Sequence, residues 1–83
     1  MTTEQIEKFF SQHRSADTPV RIFFKTRNSV TGVFVDTPDY EELKVKNFWR
    51  IVSETDLGRW KEYRDYTLCR MFNGSEFTKL VSL

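Results

Sequence analysis

The sequence predicts a mainly β fold: a small, strongly bent, five-stranded barrel headed by one N-terminal helix. Three observations predict it. Apolar residues near the start recur at helical spacing, and from Val20 onward they alternate with a period of two. The third is the aromatic load, eight Phe, three Tyr and two Trp in 83 residues, which suits a compact β-rich core.

Eighty-three residues bound a single domain spanning residues 1–83. With 39% hydrophobic and 30% charged residues, the composition is that of a folded globular chain. Thirteen basic and twelve acidic residues are interleaved, leaving a net charge of +1, without the basic excess that marks a non-specific nucleic-acid binder. The single cysteine, Cys69, excludes an intrachain disulfide and points to a reducing, cytoplasmic location. The opening "MTTEQIEKFF" carries acids and does not read as a secretory signal. No apolar run approaches the roughly 18 residues of a membrane span.

The elements follow in order. Residues 3–14 predict an amphipathic helix: Thr2 and Gln5 have capping-box spacing, and Ile6, Phe9, Phe10 and His13 share one face. Pro19 then sets an extended entry. In the strand "VRIFFKT", Val20, Ile22 and Phe24 point one way and Arg21, Phe23 and Lys25 the other. "VTGVFVD" returns as a second strand in which Gly32 marks a bend or a close backbone approach. After a break at residues 37–39, "YEELKVKNFWRIV" predicts a long third strand bent near Asn47. Residues 53–65 read as a variable insertion, with Leu57 and Trp60 hinting at a helical turn. "YTLCRMF", Asn73-Gly74 and "SEFTKLVSL" predict a closing hairpin. Together, residues 20–81 predict a small SH3-like barrel.

These segments resemble the Sm-like family of small barrels. "VRIFFKTRNSVTGVFVDTPDYEELKV" aligns without gaps with its first motif: Gly32 takes the second-strand glycine, Phe34 the following apolar site, Tyr40 the aromatic, and Leu43 and Val45 the third-strand core. "CRMFNGSEFTKL" is similar to the second motif, with Asn73-Gly74 at its turn. The resemblance implies a helix followed by five strands. In RNA-binding members an aromatic, an asparagine and an arginine hold one base per subunit. Here Tyr40 alone matches that set; Pro38 stands at the aspartate position, Glu41-Glu42 replace Met-Asn, and Asn73 stands where arginine belongs. Carboxylates beside a nucleotide repel its phosphates, so the resemblance carries the fold and not the pocket.

The expected function is therefore binding without catalysis or cofactor, through a protein partner in association or scaffolding. Single-stranded RNA is the competing partner. Tyr40 and Asn73 are candidate contacts at the loop edge and the turn. Arg21, Phe23, Lys25 and Arg27 form a basic, aromatic-bearing group on the first strand, expected to merge with Lys44, Lys46 and Arg50 on the third. Trp49 and Trp60, with Tyr63, are candidates for an exposed aromatic patch. Asp36, Asp39, Glu41 and Glu42 lack metal-loop spacing and read as a solvated turn, so no metal is expected. His13 reads as a structural histidine, and Cys69 as a buried, inert thiol. The segment 53–65 is expected to fold across the edges of the last two strands, leaving a monomer or at most a dimer instead of a ring.

Overall fold

Thr2 and Gln5 cap each other at the start of the first helix. In the computed structural model, which describes residues 1–12 and 18–83, the Thr2 N–H donates to Gln5 Oε1 at 2.9 Å and the Gln5 N–H donates to Thr2 Oγ1 at 3.2 Å. This reciprocal pair satisfies two amides that the first turn leaves without partners. The helix α1 spans Thr3–Gln12, and Ile6, Phe9 and Phe10 face the core. Burying side chains of this size contributes about 1.5–3 kcal/mol each. His13 lies outside the described residues, as does the expected end of the helix at residue 14.

Five strands follow: β1 (Val20–Phe24), β2 (Val30–Phe34), β3 (Phe48–Ser53), β4 (Cys69–Asn73) and β5 (Phe77–Ser82). They form one antiparallel sheet in the order β4-β3-β2-β1-β5. The sheet curls strongly. Phe24 on β1 and Phe72 on β4 meet with ring centroids 5.7 Å apart, although β2 and β3 lie between their strands. It does not close, because no ladder joins β4 to β5 and both remain sheet edges among the described residues.

The curl divides the apolar side chains between two faces. The inner face gathers Ile6, Val20, Ile22, Trp49, Ile51, Phe72, Phe77 and Leu80, with α1 plugging one end. Gly32 sits where β2 crosses β3, and a Cβ there would strike the Val52 carbonyl oxygen and approach Ile51 Cγ2 to 2.9 Å. Close backbone approach is thus the reason for this glycine. On the outer face Val33, Val35, Val52 and Cys69 form a second cluster beneath Trp60.

Three expectations are corrected. Residues 40–47 are not strand: α2 spans Tyr40–Val45 between β2 and β3, so the fold has more than one α-helix. Glu41 and Glu42 suit its first turn, Lys44 suits its last, and Lys44 Nζ bonds Glu41 Oε2 at 3.0 Å, one turn apart. Val45, expected in the strand core, is 82% exposed.

The Asn73-Gly74 turn does not close a hairpin. Neither residue has positive φ, and a 3₁₀ turn at Gly74–Glu76 carries the chain from the β3 side of the sheet to the β1 side. Asn73 Oδ1 accepts from the Ser75 N–H at 3.0 Å, and this local bond favours the turn over a two-residue loop.

The segment 53–65 adds no strand to either edge of the sheet. Its helix α3 (Leu57–Tyr63) lies on the outer face of the sheet, where Trp60 finds Val33, Val35 and Val52. The burial that its aromatic residue requires is met on a face, and among the described residues no further strand pairs with β4 or β5. Among the described residues, no helix is long and apolar enough to cross a membrane.

Candidate functional site

The β2–α2 loop is held by an ion pair. Asp39 precedes α2 and Arg50 stands on β3; Arg50 Nη2 donates to Asp39 Oδ2 at 2.8 Å and Nε to Oδ1 at 3.2 Å. Thr37 Oγ1 adds a bond to Asp39 Oδ1 at 2.6 Å. These bonds, the Arg50 guanidinium first and the Thr37 hydroxyl next, hold the Asp39 carboxyl at a pKa of about 2. A cleft of about 390 Å³ opens beside the pair between Pro38, Tyr66 and Cys69. Burial pushes the Cys69 thiol pKa up, which disfavours the thiolate.

Tyr40 is built into this corner and does not stand free. Its ring packs edge-on against Trp49 with centroids 6.0 Å apart, and Lys44 Nζ lies 5.4 Å from its centroid. Desolvation raises the hydroxyl pKa. With the ring thus engaged, Tyr40 anchors the loop to the core. The nearby acids do not converge: Asp39 pairs with Arg50 and Glu41 with Lys44, and no metal-holding group of His, Cys, Asp or Glu exists among the described residues.

The expected tryptophan patch is absent from the surface. Trp49 is 2% exposed in the inner core and Trp60 is 6% exposed over the outer cluster. Each exceeds the demand for an exposed platform because each fills the centre of its apolar cluster. Trp49 Nε1 donates to Asn47 Oδ1 at 2.8 Å, which satisfies the buried indole. Tyr63 is exposed on α3.

The basic groups separate as well. β2 lies between β1 and β3, and Lys44 and Lys46 belong to α2 and its end, so they do not extend a β1 face. Arg21 and Phe23 lie on the outer face opposite Val81 and Lys79 of β5. Lys25 is exposed after the strand, its backbone N–H bonded to the Glu76 carbonyl at 3.0 Å. Asn73 caps its own turn through its side-chain oxygen.

Arg27 takes part in an arrangement on the inner side. Its guanidinium lies 5.0 Å from the Phe24 ring centroid and 5.7 Å from that of Phe72. Arg70 of β4 brings a second guanidinium to 5.6 Å from the same Phe72 ring. Neither arginine forms an ion pair among the described residues. Two clefts flank Phe72. One of about 350 Å³ is lined by Val30, Ile51, Glu54 and Arg70; the other, about 300 Å³, by Thr26, Arg27, Met71 and Glu76.

Arg70 and Phe72 stand on β4, the strand that ends the sheet on this side among the described residues. Reading the sequence in segments missed Arg70 and Phe72 as site residues. The only local signal is their i, i+2 spacing, which places both on one face of a strand. Compared with family models, curated proteins and solved structures, the chain matches none of the three.

Proposed function

We propose that this chain is a non-catalytic binding module of the Sm-like small-barrel type, serving protein association or scaffolding. The observation that carries the reading is the open edge of β4, which ends the sheet beside the two arginines at Phe72. An unpaired strand edge offers a row of main-chain donors and acceptors to a partner. The small-barrel type is supported by the N-terminal helix, the curl that brings Phe24 onto Phe72, and the strand order. The buried Cys69, with its raised pKa, suits an unreactive thiol and a binding role.

Affinity purification of the native protein followed by cross-linking mass spectrometry tests the reading. A protein partner cross-linked beside β4 is expected, reduced by Arg70→Glu. Recovery of no partner, or only of one bound elsewhere, contradicts it. The module works as a monomer or dimer, and sedimentation as a hexamer or heptamer contradicts that assembly.

A second reading, single-stranded RNA binding, draws on Arg21 and Phe23 beside Lys79 and Val81 on the outer face. It predicts binding of a uridine oligonucleotide that weakens steeply with salt and is lost in Arg21→Glu.

A further inference from the structure

We infer that the partner of β4 is an extended acidic peptide segment, which adds to the sheet edge and sets its carboxylates against Arg27 and Arg70. The inference rests on the binding-module reading and names the chemistry of its partner.

The backbone of β4 suits strand addition. Its pairing with β3 runs without a register shift from Phe48↔Asn73 to Val52↔Cys69, and Cys69–Asn73 contains no proline. The edge therefore lacks two common devices that block further pairing, a bulge and a proline. An added strand would turn alternate side chains to the two faces of the sheet. On the inner side they meet Arg70 and the clefts around Phe72; on the outer side they meet Met71, which is 52% exposed.

The charges select the partner. Arg27, in the connection between β1 and β2, and Arg70, on β4, are brought to one ring by the fold, and among the described residues neither guanidinium pairs with a carboxylate. A planar guanidinium whose apolar face rests near a ring still presents its N–H edge to a carboxylate. Glu54 shares its cleft with Arg70 and Glu76 shares the other with Arg27, so the partner's carboxylates belong at the guanidiniums and away from these two acids. The matching segment alternates acidic and apolar residues.

Two other occupants fit less well. A second copy would offer β4 or β5, yet Cys69–Asn73 and Phe77–Ser82 carry Arg70 and Lys79 and no carboxylate, so neither strand supplies the acids. A nucleic acid would need an exposed ring for base stacking, but Phe72 is 9% exposed between its two guanidiniums.

The test is fluorescence anisotropy with a labelled peptide of about eight alternating Glu and Val residues, enough to span β4 with overhang. Its counterpart carries Gln for every Glu, and a uridine oligonucleotide serves as a third probe. The acidic peptide is expected to bind about tenfold or more tightly than the Gln peptide, with a comparable loss in Arg70→Gln and in Arg27→Gln. Both arginines are exposed, and circular dichroism checks that the variants remain folded. Amide shifts on binding are expected along Cys69–Asn73.

Equal affinity for the two peptides overturns the inference. So does unchanged binding by the variants, shifts confined to Arg21 and Phe23, or oligonucleotide binding lost in Arg70→Gln. If neither peptide binds while a native protein partner still cross-links beside β4, the acidic strand falls and the module reading stands. If no protein partner is recovered either, both fall.

Discussion

The Gly74 N–H donates to the Asn47 carbonyl oxygen at 2.8 Å, and the missing side chain of Gly74 makes room for that of Asn47. Asn47 holds a left-handed backbone, φ 63°, between α2 and β3. From there its Nδ2 donates to the Met1 carbonyl at 2.8 Å, while its Oδ1 accepts from Trp49. The Met1 amino group completes the knot by donating to the Gly74 and Phe77 carbonyls at 3.0 and 2.7 Å. A Cβ on Gly74 would overlap Asn47 Oδ1 and approach Ile6 Cδ1 to 2.8 Å. Gly74→Ala is therefore expected to destabilise by about 1–3 kcal/mol in chemical denaturation, the usual cost of overpacking. A neutral result would show that this junction is loose.

The Asp39–Arg50 pair predicts a pH dependence of definite sign. The folded carboxyl titrates at about 2, below its ordinary 3.8, because of Arg50 and then Thr37. A depressed pKa contributes stability that is present above the ordinary value and is lost as pH falls through about 2. Carbon-detected NMR titration of Asp39 should show that low midpoint. Arg50→Gln should return it toward 3.8, and Thr37→Val should raise it less. An ordinary midpoint in the unaltered protein would mean that the pair does not form in solution.

Trp60 fastens α3 to the outer face over Val33, Val35, Val52 and Cys69. Trp60→Ala should cost about 3–5 kcal/mol, the range for removing a buried large aromatic. It should also speed labelling of Cys69 by a thiol reagent, since the thiol is 7% exposed beneath that helix. Unchanged stability and labelling would show that α3 does not cover this face.

Local patterns disclosed the elements whose physics is local. The Thr2–Gln5 capping box and the alternation of Val20, Ile22 and Phe24 needed only neighbours in the chain. "YEELKV" misled because its apolar residues alternate like a strand while its acids and Lys44 are ordered for a short helix. Asn73-Gly74 carries a hairpin signal, yet its glycine answers a long-range approach to Asn47 and Ile6 and adopts no positive φ. The site was the least legible part. Arg27 and Arg70 share one ring only after the sheet curls, and no pattern within either segment encodes that meeting.

The central claim is that β4 is an open, pairable edge of a sheet that does not close. Residue-resolved amide hydrogen exchange on the isolated protein tests it most directly. The structure predicts strong protection through β1, β2 and β3, which have neighbours on both sides, and alternating protection along β4, where every second amide faces solvent. Uniform protection throughout Cys69–Asn73 would contradict the account, because a closed barrel or a neighbouring subunit would already occupy the edge.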